Sequence, residues 1–494
     1  MRTEIKPLDV LAYSWGYWFL SLAFLASYLG YHALPGNDLQ HPLGWWGWFD
    51  QSHYIKSARA LAAGNFSEDH HLYPLGFAVL GALFISLTPN HPFFFVSLFS
   101  VLGTLFLFIK IAGTFKIGRQ WAVVIFIGAL LQDKTMFLQF VIPWTTTPIV
   151  LYIFTALYVA LRPSPPTIPA AVVSAVCFVL VLVTRPGDII ALLPIGLVIL
   201  VRLVRENDGR RVLVTLALGL AAASVVMALY LTLYFWIYGW KYSFYMTHAG
   251  AIGLRLEDYV SKLYAIVIDP RPVYGEGQGL VQRAPWLIWA FPATVLLGLS
   301  NWRASLIAAV IVLNIGFYTA FNDFVPHGLW RYLNIHYMKV SYLLLALLGA
   351  SFAATCFQAP RRLIAMGCLL LPFAVFRLDS VAHSATAVAV PNEKTVTFEC
   401  AACGNARVAI LAPTHLTYAQ IYYEANRATI GPRSFRNIYD FRTVPVDGTI
   451  RAIFPIALGG RPATIEFVSP HGYSNEKPPQ VTLISTELRL RVLN

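Results

Sequence analysis

Asp50 is the carboxylate whose setting first suggests chemistry. It stands in WWGWFDQSHYIKSARALAAGN, residues 45–65, after Trp45, Trp46, Trp48 and Phe49 and at the head of an amphipathic helix. Asp50, His53 and Ser57 recur at i, i+3 and i+7 and share one face, while Tyr54, Ala58 and Leu61 recur on another. A carboxylate placed there can take a proton from a sugar hydroxyl as a general base. Partial burial among indole rings would lift its pKa toward a working range. The same residue could equally be an N-cap, satisfying free backbone amides without catalysis.

Three further groups carry polar chemistry. Asp69, in SEDHHLYP, is a second carboxylate of the same loop. With His70 and His71 beside it, it permits a divalent metal ion without demanding one, and a solvated loop before Pro74 is the competing reading. Between 321 and 339, Asn322, Asp323, His327, Arg331, His336 and Lys339 stand among Phe321, Phe324, Trp330, Tyr332 and Tyr337. His327 and Arg331 are i, i+4 and would point the same way on a helix. Arginine recognises phosphate bidentately and stays charged, though interface Arg and Lys also snorkel to headgroups. Arg185 lies in the turn TRPGD with Asp188 three residues on. It could close a structural clamp with that carboxylate or face the same anionic substrate.

The elements that must position these residues are membrane helices. Hydrophobic residues form 57% of the 494 and charged residues only 12%, with a mean hydropathy of +0.61. Apolar runs recur at about 10–32, 92–112, 121–139, 146–161, 168–184, 188–204, 212–237, 284–300, 303–321, 338–356 and 362–378, close to the length that crosses ~30 Å of hydrocarbon. A polytopic α-helical membrane protein of about 11 spans follows. The net charge of +12 belongs to loop topology and phosphate binding; no basic, aromatic-interleaved patch suggests nucleic acid. Lys116/Arg119, Arg162, Arg202 to Arg211, Arg303 and Arg361/Arg362 gather on one side, which the positive-inside rule makes cytoplasmic. The N-terminus is then cytoplasmic, and loop 33–91 lies wholly outside only if 73–88 (YPLGFAVLGALFISLT) is a partly inserted or re-entrant helix.

From about 380 the pattern changes to period two (TVTFEC, ARVAILAP, ATIEFV, ELRLRVL). This divides the chain into a membrane domain over 1–379 and a β-sandwich-like extracytoplasmic domain over 380–494, with one helical patch near 416–427. RLEDYVSKLYAIVI (255–268) looks like an interfacial amphipathic helix. Cys177, Cys356 and Cys368 lie in apolar runs as small hydrophobes. Cys400 and Cys403 form either a local disulfide or two plain thiols. There is no P-loop, GxGxxG after a strand, HExxH or GxSxG, so a donor at the outer face is lipid-linked rather than nucleotide-activated.

Trp48-Phe49-Asp50-Gln51-Ser52-His53-Tyr54, followed by Ala58, Leu61, Gly64 and then Leu72-Tyr73-Pro74-Leu75-Gly76, resembles the integral-membrane C-fold (GT-C) glycosyltransferases that use polyprenyl-phosphate sugars. The resemblance implies that Asp50 is the catalytic base and that a monosaccharide passes to an acceptor hydroxyl with inversion. It also implies a second functional acid, for which Asp69 is the candidate and Asp188 or Asp323 could substitute. Arg331, His327, Lys339 and Arg185 would bind the donor phosphate, and His53, Tyr54, Trp48 and Tyr73 the acceptor or sugar. The expected partners are a polyprenyl-phosphate-linked sugar, a glycan or lipid acceptor and membrane lipids. A transporter or flippase of a lipid-linked sugar would instead need ionisable residues at mid-membrane depth. A non-catalytic glycan-binding membrane protein would need no working Asp50.

Overall fold

The computed structural model of the chain describes residues 7–32, 49–247, 253, 254, 256, 259–271, 277–321, 324, 326, 329, 330 and 334–356, and the backbone of nine strands between 376 and 492. The chain is mostly helical up to Cys356. Among the described residues, five helices are long and apolar enough to cross a membrane: Phe94–Thr114, Pro186–Glu206, Gly209–Tyr238, Trp302–Ala320 and Asn334–Cys356. A bent pair, Arg119–Leu131 and Lys134–Val141, makes a sixth if it is one span. Thr146–Leu161, Ile168–Thr184 and Leu287–Ser300 are apolar but shorter.

The bent pair corrects the expectation of one continuous span over 121–139. The chain turns by 97° between the two helices. Asp133 is extended rather than helical and accepts the amides of Thr135 and Met136 at 2.7 and 3.1 Å, so it caps a new helix instead of continuing the old one. Beside it, Gln132 donates to the Tyr342 hydroxyl and accepts from Trp286 Nε1 at 2.7 Å. These side-chain bonds fasten the break where a backbone ladder would otherwise run. The expected span at 362–378 lies outside the described residues as far as 375, and Phe376–Leu378 begin a strand.

The chain divides into two compact units, Met1–Met246 with Ala284–Tyr318 and Ile335–Gly367, and Thr247–Arg283 with Thr319–Asn334 and Cys368–Asn494. In the first unit the elements are α1 (Pro7–His32), α2 (Phe49–Ala62), α3 (Leu75–Ala82), α4 (Phe94–Thr114), α5 (Arg119–Leu131), α6 (Lys134–Val141), α7 (Thr146–Leu161), α8 (Ile168–Thr184), α9 (Ile189–Glu206) and α10 (Gly209–Tyr238), followed by the helices Leu287–Ser300, Trp302–Ala320 and Lys339–Cys356.

Helix α2 ends where Gly64 takes the left-handed conformation (φ +67°), with Asn65 N bonding Ala60 O and Gly64 N bonding Leu61 O. That is a glycine-dependent stop. Its apolar face, Tyr54, Ile55 and Ala58, is buried against α3. Helix α3 has eight residues and rises only about 12 Å, too short to cross. It is drawn onto the end of α8 at Gly76, where a Cβ would lie 2.8 Å from the Val183 carbonyl oxygen. Much of α10 faces outward, with Leu213, Leu220 and Leu229 exposed, as a helix bathed in lipid should be.

In the second unit, Tyr259–Val267 is helical, within the stretch expected to form an interfacial helix. Lys262, buried, donates to the Phe321 carbonyl oxygen at 2.5 Å. The strands are β1 (Phe376–Ala389), β2 (Thr395–Phe398), β3 (Asn405–Pro413), β4 (Tyr418–Glu424), β5 (Ser434–Asp440), β6 (Pro445–Val446), β7 (Thr449–Ile456), β8 (Ala463–Val468) and β9 (Gln480–Val492). They pair antiparallel in the orders β1-β9-β3-β7-β6 and β2-β8-β4-β5. The expected helical patch near 416–427 is instead β4, hydrogen-bonded to β5 and β8. Its Tyr and Ile residues suit a pleated surface, and non-local pairing outweighs local helix preference there.

Candidate functional site

Asp50 lies in the first turn of α2, where a negative charge is favoured by the helix dipole. Its Oδ1 accepts a hydrogen bond from the Tyr73 hydroxyl, so α2 and the segment before α3 meet at the carboxylate. Burial lifts the Asp50 pKa above the ordinary carboxylate range, while the Tyr73 bond and the charge of Arg185 pull it part of the way back. Tyr73 is itself pushed well above the usual phenol range by burial and by Asp50, so it remains the donor. Its ring packs on Tyr54 with centroids 4.9 Å apart, on Tyr245 at 5.7 Å and on His53 at 6.3 Å.

Arg185 reaches the same place from the end of α8. Pro186 disfavours a helical conformation at the residue before it, and Arg185 is accordingly extended (φ −157°, ψ 88°). The 3-10 turn Pro186–Asp188 then brings Asp188 back beside Arg185 in a 3.1 Å ion pair. Gly187 lets the turn approach the Trp302–Ala320 helix, since a Cβ there would lie 2.9 Å from the Phe317 ring. Next to it, the buried Tyr318 hydroxyl donates to Asp188 Oδ1 at 2.7 Å and accepts from Arg185 Nε at 3.0 Å. Arg185 Nη1 donates to Thr145 Oγ1 at 3.1 Å, and the guanidinium lies 4.5 Å from the Tyr337 ring centroid. No hydrogen bond occupies its Nη2 among the described residues. Arg185 thus forms the clamp with Asp188, and its charge also acts on Asp50, lowering the pKa of that carboxyl.

Lys339 and His336 stand behind this pair, both buried. Lys339 Nζ donates to Thr147 Oγ1 at 2.7 Å and lies 4.9 Å from the Phe140 ring centroid. His336 stacks on Trp144 with centroids 4.0 Å apart and 4° between planes, and its Nδ1 is 3.3 Å from Thr146 Oγ1. Asp69 is placed elsewhere. It is exposed in a 3-10 turn, and its carbonyl oxygen, not its carboxylate, accepts from Lys56 Nζ at 2.9 Å. His71 has both ring nitrogens engaged, by Ser57 Oγ at 2.7 Å and the Asn65 carbonyl oxygen at 3.2 Å. Among the described residues, no group of three or more His, Cys, Asp or Glu could hold a metal ion. Trp48, His327 and Arg331, with Asn322 and Asp323, lie outside the described residues. Cys177 and Cys356 are buried free thiols; the other three cysteines also lie outside.

An apolar cavity of about 830 Å³ adjoins the pair. Tyr73 and Pro186 stand in its wall, so it touches both the Asp50 partner and the Arg185 turn. Met227, Leu231 and Phe235 of α10 and Tyr245 complete much of the lining.

Solved structures similar to this chain are those of ArnT, a GT-C glycosyltransferase, from Cupriavidus metallidurans. The structure titled as bound to undecaprenyl phosphate is 15% identical with a TM-score of 0.45, and the apo structure 14% identical with a TM-score of 0.47. In each case the match covers 73% of this chain and 65% of the other. The chain therefore spans about two thirds of the length of the structures it matches. No family model matches the sequence, and no curated protein does.

Sequence reasoning missed three members of the site. Tyr318 and Thr145 lie in or beside apolar stretches where a single hydroxyl reads as ordinary helix content, and Tyr337 reads in the sequence only as an aromatic neighbour. A hydroxyl facing inward at the end of an apolar helix was the signal available.

Proposed function

We propose that the chain transfers a monosaccharide from a polyprenyl-phosphate donor to an acceptor hydroxyl at the outer face of the membrane. The observation that carries this reading is the half-buried Asp50 carboxylate, held by Tyr73, whose ring lines an apolar cavity, and lying within the field of the Arg185 charge. Asp50 takes the acceptor proton as the acceptor oxygen attacks the anomeric carbon from the side opposite the phosphate. The bond from that carbon to the phosphate oxygen breaks, its electron pair stays on the phosphate, and the configuration inverts. Arg185 stabilises the charge that develops on the leaving phosphate. The cavity takes the first isoprene units. About eleven spans carry the site, the N-terminus is cytoplasmic, and residues 380–494 form an extracytoplasmic β-rich domain.

Asp188 and Lys339 fall in the first turns of their spans, Pro186–Glu206 and Asn334–Cys356, rather than at mid-depth. That placement favours a surface reaction over passage of charge through the membrane. The test uses the full chain, purified and reconstituted, with a panel of polyprenyl-phosphate-linked monosaccharides and of glycan and lipid acceptors. One donor should be consumed with product of inverted configuration, and Asp50→Asn should lower the transfer about 10²–10⁴-fold while remaining folded. Transfer by Asp50→Asn at near the parent rate would overturn the assignment.

A further inference from the structure

The polar face of α2 is used more than once. Lys56 Nζ donates to the Asp69 carbonyl oxygen at 2.9 Å, Ser57 meets His71, and Asp50 receives Tyr73. As α2 is followed backward from 57 to 50, its partners advance from 69 and 71 to 73. The loop is laced along the helix in the opposite sense, and the face carrying Asp50 and Ser57, seven residues apart, is the lacing edge.

His71 is the knot in this lacing. Its Nε2 faces the Asn65 carbonyl oxygen, which can only accept, so Nε2 carries the proton and Nδ1 is the acceptor for the Ser57 hydroxyl. The His71 carbonyl oxygen accepts from the Tyr238 hydroxyl at the end of α10 at 2.5 Å. Ser57 and His71 are both buried, so neither can meet a substrate, and the arrangement is a tether rather than a nucleophile with its base. Two residues beyond it, Tyr73 bonds Asp50.

We propose that Ser57 and His71 are positioning residues: their clasp fixes the 63–74 loop on α2 so that the Tyr73 hydroxyl stays on the Asp50 carboxylate. The kinetic consequence rests on the reading of Asp50 as a base; the geometric one does not. Tyr73, Tyr54 and Arg185 face Asp50, while Lys56, His70 and Tyr238 face His71. Of the three groups around Asp50, only Tyr73 lies on the loop that the clasp holds; Tyr54 is on α2 and Arg185 follows α8.

The test reads the Asp50 carboxyl directly, by infrared titration of the reconstituted full chain, with the band assigned by its loss in Asp50→Asn. Tyr73→Phe removes a bond that stabilises the carboxylate, so the Asp50 titration should move to higher pH. Ser57→Ala should move it in the same direction, Ser57→Thr should restore it, and Ser57→Ala added to Tyr73→Phe should move it no further. In turnover, Ser57→Ala should lower kcat about tenfold with KM nearly unchanged. Should Ser57→Ala fail to fold, Tyr238→Phe loosens the same loop from its other side and is read in the same way. A wild-type titration in Ser57→Ala or, in its place, Tyr238→Phe overturns the proposal, as does a further shift when either is added to Tyr73→Phe. Active Asp50→Asn with these shifts intact would instead remove the catalytic reading and leave the clasp standing.

Discussion

Two arginines stand at opposite ends of the span Pro186–Glu206, and they are satisfied very differently. Arg202, in its last turns, spends every guanidinium nitrogen. Nε and Nη2 grip Glu206 at 2.8 and 2.9 Å, Nη1 donates to the carbonyl oxygens of Ala160 and Arg162 at 2.9 and 2.8 Å, and Nη2 also reaches Ser164 O at 3.1 Å. It closes the turn between α7 and α8 and leaves nothing for a ligand. Arg185, at the other end, pairs with Asp188 and two hydroxyls, keeps Nη2 without a hydrogen bond among the described residues, and faces Asp50. The same residue type is a rivet at one end and an available cation at the other. What separates them is the number of fixed acceptors around each, not burial.

The sharpest test of that contrast is at Asp50. Asp50→Asn should cost about 10²–10⁴-fold in transfer rate, the usual worth of a general base. Its stability should not fall. A carboxyl whose folded pKa is raised contributes most below its unfolded pKa, and that contribution is lost as pH rises through the folded value. At neutral pH the asparagine removes this loss, so its thermal midpoint should equal or exceed that of the parent. A rate loss accompanied by unfolding would return Asp50 to a capping role.

Next come the two arginines. Arg185→Lys keeps the charge but not the planar fork, and should cost about 100-fold in rate with little change in the unfolding midpoint. Arg202→Ala should do the reverse. Stripping a buried cation from its acceptors destabilises by about 3 kcal/mol, while activity per folded molecule stays at the parent level. Equal losses of rate and stability in both variants would erase the distinction.

Tyr73→Phe is expected to lower the rate about tenfold, the worth of one hydrogen bond to a charged group. The pH profile gives the sign. With Asp50 as the proposed base, activity should fall as pH drops through its pKa, and burial sets that limb above the ordinary carboxylate range. Removing the Tyr73 donor should push the limb higher still. The smallest effect is expected at Lys339, whose bond is to Thr147. Lys339→Met, similar in volume and apolar, should alter stability by no more than about 1 kcal/mol and rate only a few-fold. A total loss of transfer would promote Lys339 to a phosphate ligand.

The sequence by itself determined the class of molecule and singled out one carboxylate as a candidate. Apolar runs of span length arise from a solvent constraint that acts on each segment alone, and an Asp at the head of an amphipathic helix is likewise a local pattern. The i, i+3, i+7 stripe of Asp50, His53 and Ser57 was legible, but not what it binds. Only the tertiary structure decided that Tyr73 meets Asp50, that Arg185 both clamps Asp188 and faces Asp50, and that Tyr318 from a helix 130 residues away completes the pair. It also decided that Asp69 stays in solvent and that α5 ends at Leu131. These depend on close approaches, such as α3 onto α8 at Gly76 and the Arg185 turn onto Phe317 at Gly187, and on long-range side-chain bonds such as those at Gln132. Such contacts leave no period in the chain. They exist only once the helices have packed.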